Sequence, residues 1–458
     1  MTPRDITAAL WSLAGLAPEP LDTLRLTGRE SALPSSFRVV AAAQSSIAAA
    51  GLAAAEIFRA RTGRSQAVHV DARHAAAEFR SEQYLRVANT PPAEMWDPIA
   101  GTYRCGDGWV RLHTNFPHHR DGILRLLGCA PDKESVAHSL AAWQAEAFET
   151  AATASGLCVA TMRSFADWDA HPHAAAVVPQ PLTLERIGDA PPEAFHADAG
   201  RPLAGVRALD LTRVIAGPVA GRTLAAHGAD VLHITGPGVP NLPRLIVDTG
   251  RGKRAAELDL TQEAGRSRLS ALARGADIFL QSYRPGALAH HGFGAEALAA
   301  LRPGIVVATL SAYGESGPWG GKRGFDSLVQ TATGFNHAEA EAAGTEGPKP
   351  LPCQALDHAS GYLLAFGTMA ALLRRTTEGG SWRVTVSLAA TARWLRGLGR
   401  LPDGLGVPDL AREDIETLLE TSGPVTSVRH AALLSATPAF WAHPAQTLGS
   451  SAPIWETR

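Results

Sequence analysis

Short apolar runs alternate with helical patterns along residues 206–310 of this 458-residue chain. Each apolar run is rich in Val, Ile and Leu and has the length of one strand, whereas the segments between the runs have helical spacing. Strands that alternate with helices form parallel sheets with helices on both faces. The pattern therefore predicts an α/β fold built on a doubly wound parallel sheet. The predicted strands are residues 206–212, 230–235, 277–281 and 304–310, and the predicted helices are residues 217–227, 262–274 and 295–301.

An internal repeat links the N-terminal part of the chain to the end of this region. Residues 51–77 align without gaps with residues 367–393, and nine of the 27 aligned positions are identical. Both copies predict a helix, a turn at Gly63 or Gly379, and a strand with valine at alternate positions. We therefore interpret residues 1–90 as a degenerate repeat of the last helix and strand of the doubly wound region.

The rest of the chain predicts a second, smaller domain and a tail. Residues 96–180 contain a hairpin pattern, two helical patterns near 117–128 and 135–155, and a short strand pattern after them. Residues 186–205 have the Pro, Gly and charge content of a connector. We assign residues 91–190 to a small α+β domain, residues 200–400 to a Rossmann-like domain and residues 401–458 to a C-terminal tail.

The charge and hydropathy of the chain argue against several kinds of partner. A formal charge of −2, from 42 Lys and Arg against 44 Asp and Glu, gives no field that would attract nucleic acid or a membrane surface. The longest weakly polar tract, residues 39–55, is mostly alanine and contains Gln44, so it predicts a packed helix and no membrane span. The histidine pairs match no ligand pattern, and no metal site is predicted.

The cysteines indicate a reducing compartment. Cys105, Cys129, Cys158 and Cys353 are widely scattered and form no CxxC pair. We interpret them as reduced thiols and expect a cytoplasmic protein. The first apolar run stops at Pro18, too soon for the core of a secretion signal, so no secretion is expected.

A series of motifs follows in order along the doubly wound region, beginning with Gly205-Val-Arg-Ala-Leu-Asp-Leu-Thr-Arg-Val-Ile-Ala-Gly-Pro. The series resembles the class III CoA-transferases, the CaiB/BaiF family. In that family the small domain follows the nucleotide-fold half, whereas in this chain the sequence similar to the small domain comes first. We interpret the chain as permuted or as a trimmed tandem fusion. The other motifs are Gly228-Ala-Asp-Val-Leu-His-Ile, Arg251-Gly-Lys-Arg, Tyr283-Arg-Pro-Gly-Ala-Leu, Leu310-Ser-Ala-Tyr-Gly-Glu-Ser-Gly-Pro, Gly324-Phe-Asp and Leu356-Asp-His-Ala-Ser-Gly.

The resemblance implies that Asp357 is a catalytic nucleophile. In the family's reaction an aspartate attacks an acyl-CoA to give a mixed anhydride, the CoA thiolate then forms aspartyl-CoA, and an acceptor acid takes the CoA. The implied function is CoA transfer between an acyl-CoA and a small carboxylic acid, with CoA as a substrate and no further cofactor. An aspartate with the ordinary pKa of about 3.9 is ionised at neutral pH and needs no general base. The resemblance also implies a homodimer.

The residues alone leave a second interpretation of Asp357 open. It stands just before an apolar helix, so it is also a candidate N-cap whose side chain accepts helical N–H groups. Ala41 occupies the matching place in the first repeat copy, so only the second copy can be catalytic. Backbone N–H groups near Ser360 and Gly361 are candidate donors to an oxyanion.

Candidate contacts with CoA come from cations and from loops after strands. Lys253, Arg254 and Arg284 are candidates for the phosphates, or they are ordinary surface charges. Tyr313 follows a strand, where open parallel sheets bind ligands, or it is a plain loop aromatic. The motifs imply further substrate or CoA contacts at Val214, Ile215, Gly217, Tyr283, Asp326 and Gly361.

The sequence also bears on functions other than CoA transfer. No GxGxxG fingerprint follows the first strand, so a nicotinamide cofactor is not expected. A racemase or isomerase of the same family is similar, but it has a histidine at the place of Phe325, which cannot carry a proton. A catalytically silent acyl-CoA-binding or interaction protein is the third possibility. The Ala41 copy favours it, and the intact Asp357 argues against it.

Overall fold

The computed structural model describes residues 1–88, 90, 94–195 and 200–456. Its strands form four sheets. The strands are β1 (Leu24–Thr27), β2 (Val68–Asp71), β3 (Arg86–Val87), β4 (Gly101–Arg104), β5 (Trp109–Leu112), β6 (Val159–Thr161), β7 (Thr183–Gly188), β8 (Arg207–Leu211), β9 (Asp230–Thr235), β10 (Lys253–Glu257), β11 (Ile278–Gln281), β12 (Val306–Ser311), β13 (Ser381–Ser387), β14 (Leu419–Ser422), β15 (Val425–Val428) and β16 (Leu433–Leu434).

Two of the α-helices, α2 and α15, are much longer than the rest. The helices are α1 (Pro3–Leu13), α2 (Val39–Thr62), α3 (Ala72–Glu78), α4 (Ser81–Tyr84), α5 (Pro117–Leu127), α6 (Lys133–Leu140), α7 (Ala145–Ala154), α8 (Phe165–Ala170), α9 (Ala216–Ala226), α10 (Pro243–Thr249), α11 (Glu263–Arg274), α12 (Ala295–Leu301), α13 (Asp326–Ala332), α14 (Phe335–Ala343), α15 (Ala355–Glu378), α16 (Leu388–Gly397) and α17 (Arg412–Glu416).

The largest sheet confirms the predicted doubly wound fold. Its seven strands lie in the order β10-β9-β8-β11-β12-β13-β7, and all of them except β7 are parallel to their neighbours. Counted from β8, this is the order 3-2-1-4-5-6 of Rossmann-like sheets, with the switch in direction between β8 and β11. Ligands bind such sheets at the carboxyl ends of the strands beside that switch.

Two strands of this sheet were not predicted. The edge strand β10 starts with Lys253 and Arg254 and lacks a continuous apolar run, as is common at sheet edges. The other strand, β7, lies in the stretch that the sequence assigned to the small domain, yet it pairs antiparallel with β13, with Leu184 opposite Val384. A pairing between strands so far apart in sequence is set by tertiary packing and leaves no local signal.

The two repeat copies have the same local structure. Helices α2 and α15 are both 24 residues long, and both end at a glycine with positive φ, +72° at Gly63 and +67° at Gly379. Ala41 is the third residue of α2, as Asp357 is of α15. The two helices pack against each other, and α9 packs against another side of α15.

Helix α2 is long and apolar enough to cross a membrane by length and composition alone. In the structure its apolar window is buried along its whole length, as expected for a core helix. The predicted packed helix at residues 39–55 therefore lies inside α2 (Val39–Thr62).

The small α+β unit has its own core. Strands β4, β5 and β6 form an antiparallel sheet covered by α5, α6 and α7. The single helix predicted near 135–155 is two helices, because the side chain of Asp107 accepts the N–H of Ala145 and starts a new helix there. Such a cap comes from a distant loop and could not be inferred from the local sequence.

Residues 401–456 are more than a tail. Strand β15 pairs with β3 on one side and with β14 on the other, and β16 pairs with β2, so this segment completes two sheets of the N-terminal part. A buried polar network adds to this connection. Asp248 accepts hydrogen bonds from Arg222 (2.7 Å), Ser81 (2.7 Å) and Arg251 (3.0 Å), and Arg251 donates in turn to Ser427 at 2.7 Å.

We predict that the N-terminal part cannot be removed without loss of the fold. A fragment of residues 200–458 would expose the face of α15 that α2 covers, so it should be poorly soluble when expressed alone. Co-expression of residues 1–199 should restore soluble protein. A well-folded, monodisperse 200–458 fragment in the absence of the other half would contradict this prediction.

Candidate active site

A cavity of about 370 Å³ opens at the switch point of the large sheet. Its walls include the turn after β8, the turn after β11 and the loop after β12, all at the carboxyl ends of their strands. The first turn of α15 and residues of the small α+β unit close the other sides. The cavity therefore lies where a doubly wound sheet binds its ligands.

Asp357 lines this cavity from the first turn of α15. It is 7% exposed, and within the described part of the chain its carboxyl group has no hydrogen-bonding partner. The N-cap of α15 is Gln354, so the interpretation of Asp357 as an N-cap is wrong. The capping group is instead the carboxyl of Asp326, which accepts the backbone N–H groups of Leu356 (2.7 Å) and Asp357 (2.9 Å). The Asp357 side chain is thus left free for a ligand.

Burial changes the acidity of both carboxyl groups. Burial raises the pKa of Asp357 well above its ordinary value, and the negative charges of Asp326 and Glu82 raise it further. Burial also raises the pKa of Asp326, to about 6, although the two N–H groups that it accepts oppose the shift. The positive end of α15 acts in the opposite direction and favours the Asp357 anion. The expectation of an aspartate with an ordinary pKa is therefore wrong for the ligand-free protein.

The turn between β8 and α9 is strained at the cavity wall. Val214 has φ +74°, a conformation that is costly for a β-branched residue. Val214 and Ile215 both line the cavity, as the motif implied. Gly217 does not line it. It lies in α9, where a Cβ atom would be 2.4 Å from the Cβ of Thr212, so it allows close packing of the turn.

Gly361 also has a packing role. A Cβ atom at this position would be 2.5 Å from the carbonyl oxygen of Ala216. The glycine thus brings α15 against α9 and does not line the cavity. Because it lies well inside α15, its N–H belongs to the helix and is not free for an oxyanion. The hydroxyl of Ser360 bonds to that of Thr391 at 2.7 Å.

Two of the three cations predicted to bind phosphate are paired inside the protein. The ammonium of Lys253 donates to Asp210 (2.7 Å) and to the carbonyl of Pro218 (2.8 Å), and its side chain is 3% exposed. Arg254 forms a forked pair with Asp230 at 2.8 and 2.9 Å. Both residues lie at the start of β10, whereas the cavity is at the carboxyl ends of the strands. These two predictions are therefore corrected: neither residue lines the cavity.

Arg284 is the predicted cation that reaches the cavity. It is exposed beside Tyr283 in the turn after β11, and its guanidinium has no partner within the described part of the chain. Arg213 and Arg323, which the sequence did not single out, also line the cavity. A cavity rim with these three guanidinium groups is suited to phosphate and carboxylate anions.

Aromatic side chains form much of the remaining wall. Tyr313 lines the cavity as predicted, and its ring lies 5.0 Å from that of Trp319 in an edge-on arrangement. The Tyr313 hydroxyl is buried and has no hydrogen-bonding partner within the described residues. Burial raises its pKa, so the group is a hydroxyl donor at neutral pH.

Residues of the small α+β unit complete the cavity, and sequence reasoning missed them. Three of them follow β5 and the fourth lies just before β6, so the one available signal was a cluster of aromatic residues after a strand. His119 is buried, and burial lowers its pKa to about 4, so it is neutral at pH 7. Phe325 stacks on His113 with ring centres 3.7 Å apart. The residues from this unit that line the cavity are Phe116, His118, His119 and Cys158.

The structure therefore brings together six of the predicted site residues. Asp326 lies behind this group, in a small space of about 20 Å³ that Asp357 and Phe325 also line. No cluster of three or more His, Cys, Asp or Glu side chains suited to a metal ion occurs in the part of the chain that the structure describes. The six residues that share the main cavity are Val214, Ile215, Tyr283, Arg284, Tyr313 and Asp357.

Comparisons with known proteins bear on the doubly wound part of the chain. Residues 203–399 match the family described as CoA-transferase family III, which confirms the resemblance over that stretch. A probable fatty acyl-CoA transferase of Mycobacterium tuberculosis is 35% identical over 196 residues, covering 40% of this chain and 49% of that protein. The succinyl-CoA:glutarate CoA-transferase of Mus musculus is 31% identical over 196 residues, covering 40% of this chain and 44% of that protein.

A solved structure of the mycobacterial protein is also similar. It is 34% identical, with a TM-score of 0.38, and the match covers 44% of this chain and 59% of the other. The chain spans about half the length of these two curated relatives.

We predict that Lys253 stabilises the fold and does not bind ligand. Lys253→Met leaves Asp210 buried without its cation, so the free energy of unfolding should fall by about 3–5 kcal/mol. Lys133, which is exposed, supplies the matched control: Lys133→Met should change stability by less than about 0.5 kcal/mol. Urea unfolding measures both. A Lys253→Met protein of unchanged stability and weakened CoA binding would restore the original assignment.

Proposed function

We propose that this protein, whose residues 203–399 match CoA-transferase family III, transfers coenzyme A from an acyl-CoA to a carboxylic acid through Asp357. One observation carries the proposal. The carboxyl group of Asp357 faces a cavity at the switch point of the sheet, on the first turn of a helix whose N-terminus is capped by another residue. A carboxylate held there is available as a nucleophile.

The transfer consists of four attacks at carbonyl carbons. The Asp357 carboxylate attacks the acyl-CoA thioester, forming a mixed anhydride and releasing the CoA thiolate. The thiolate attacks the Asp357 carbonyl, giving aspartyl-CoA and the free donor acid. The acceptor carboxylate then attacks aspartyl-CoA, which forms a second anhydride and releases the thiolate again. Attack of the thiolate on the acceptor carbonyl gives the new acyl-CoA and restores Asp357.

The environment of Asp357 fits a nucleophile of raised basicity. A carboxylate with a raised pKa is a stronger nucleophile, but it must first lose its proton. Activity should therefore increase with pH through the pKa of Asp357. The positive end of α15 and the guanidinium groups on the cavity rim favour the anion that attacks.

Other cavity residues supply binding and charge stabilisation. The unpartnered hydroxyl of Tyr313 is the proposed donor to the carbonyl oxygen as negative charge develops on it. Arg284 and Arg213 are the proposed contacts with the phosphates of CoA, and Tyr283, Val214 and Ile215 flank the pantetheine. CoA is the substrate, and no further cofactor takes part in these steps.

The setting of the reaction is also part of the proposal. We expect a homodimer that works in the cytoplasm, with a small carboxylic acid as acceptor. The family resemblance supports the dimer, and the four unpaired cysteines support a reducing compartment.

We predict that Asp357→Asn abolishes CoA transfer without unfolding the protein, because an amide cannot attack the thioester. The folded-state pKa of Asp357 is raised, so in the wild type this group costs stability increasingly as pH rises from about 4 through that pKa. The variant lacks this cost, and its Tm at neutral pH should equal or exceed that of the wild type. Hydroxylamine should trap a hydroxamate on Asp357 in the wild type incubated with a competent acyl-CoA. Full CoA exchange by Asp357→Asn would disprove the nucleophile.

We also predict that the protein does not exchange the α-proton of a 2-methylacyl-CoA. Phe325 occupies the place of the second base, and the neighbouring His119 has a pKa of about 4, too low for an effective base at neutral pH. Incubation in deuterium oxide followed by mass spectrometry measures the exchange. Deuterium at the α-carbon that depends on active protein would favour the racemase or isomerase instead.

A further inference from the structure

Residues 78–82, in the N-terminal part of the chain, contact the start of α15. Arg80 donates to the carbonyl of Pro352 at 3.0 Å, just before the helix. Glu78 accepts the hydroxyl of Tyr362, two turns into the helix. The ring of Phe79 stacks on that of His358, with centroids 5.4 Å apart. The first two turns of α15, which carry Asp357, are therefore held by the other repeat copy.

Glu82 bonds to the residue next to Asp357. One oxygen of its carboxyl group lies 3.0 Å from Nε2 of His358, the residue that follows Asp357. Glu82 is 1% exposed and His358 is fully buried. The other Glu82 oxygen and Nδ1 of His358 are buried without a hydrogen-bonding partner within the described residues. A charge in such surroundings is screened little by water, so it acts strongly on its neighbours.

We propose that Glu82 is a positioning residue for Asp357, through which the non-catalytic repeat copy fixes the catalytic helix turn and sets the charge around the nucleophile. The inference deepens the proposed CoA transfer and rests on it. Glu82 does not line the cavity, so it acts on Asp357 through His358 and through its charge. The first repeat copy has Ala41 where the second has the aspartate, and its role in the reaction is to hold α15 through Glu82.

The charge of Glu82 acts in the same direction as burial. Its carboxylate is one of two that raise the pKa of Asp357, and the other is Asp326 on α13. His358, on α15 itself, counters Glu82 when it is protonated, and it favours the anion of Asp326. Arg244 lies close to Glu82 from α10. The other charged or titratable groups near these carboxyls, within the described residues, include Arg111 near Asp326, Cys353 near Glu82, Asp248 near His358, and, across the cavity, Cys158, His118, His119, Arg213, Tyr283, Arg284, Tyr313, Lys322 and Arg323.

The test is the pH dependence of CoA transfer by Glu82→Gln, compared with Glu78→Gln. Glutamine keeps the shape of Glu82 and a partner for His358 but removes the charge. The acid-side midpoint of the kcat profile should move down by about one pH unit, as expected for the loss of a nearby like charge. Glu78 is an equally buried carboxyl that bonds the same helix at Tyr362, so Glu78→Gln should lower the Tm and leave the midpoint unchanged.

His358→Gln provides an independent variant if Glu82→Gln does not fold. Glutamine keeps a donor for Glu82 but cannot carry the positive charge by which His358 favours the nearby anions, so the midpoint should move up. An unchanged midpoint in Glu82→Gln, an equal shift in Glu78→Gln, or a downward shift in His358→Gln would each overturn the role of Glu82.

The failure of the proposed function is a separate outcome. In that case the wild type transfers no CoA between any acyl-CoA and carboxylate offered. The rate at which a water-soluble carbodiimide labels Asp357, followed by peptide mass against pH, reports the same midpoint without turnover. An inactive wild type whose labelling midpoint still falls in Glu82→Gln refutes the transfer alone, and an active wild type with no shift refutes Glu82 alone.

Discussion

The close packing of α15 between α2 and α9 is the constraint on which the rest of the structure depends. Gly361 allows the backbone of α15 to approach the carbonyl of Ala216, a contact that any Cβ atom would block. On its other side α15 is covered by α2, a helix of the same length from the other repeat copy. A helix moves as one rigid body, so this packing also fixes the end of α15 that carries Asp357. The position of the cavity, the capping of α15 by Asp326 and the contacts of residues 78–82 with α15 all depend on this packing.

The local design separates the task of capping the helix from that of attacking a thioester. Asp326 takes the free N–H groups at the start of α15, so Asp357 keeps both oxygens for a ligand. The arrangement places two carboxyl groups in one buried region, where burial raises the pKa of each and the charge of Asp326 raises the pKa of Asp357 further. Two negative charges in this buried region are unfavourable until an electrophile or a cation binds there. The strain at Val214 is another cost borne at the same wall of the cavity.

The sequence predicted the elements whose signal is local. The strands β8, β9, β11 and β12 follow from apolar runs, and Asp357 follows from an ordered set of motifs. The residues whose roles were predicted wrongly or missed depend on partners that are distant in the sequence. Lysine is a residue type that often binds phosphate, but the burial of Lys253 against Asp210 depends on how α9 covers the sheet. The contributions of His119 and Glu82 come from segments more than 200 residues before Asp357, so only the folded chain brings them to the site.

The most direct test of covalent transfer through Asp357 uses an acceptor acid labelled with ¹⁸O in its carboxyl group. When the acceptor carboxylate attacks aspartyl-CoA, one labelled oxygen becomes the bridge of the anhydride, and attack of the thiolate on the acceptor carbonyl leaves that oxygen on Asp357. After one turnover the peptide that contains Asp357 should be heavier by one ¹⁸O-for-¹⁶O exchange. Further turnovers should add a second exchange, and the donor acid released in these later cycles should carry the label. Full turnover with no ¹⁸O in that peptide or in the donor acid would contradict the account.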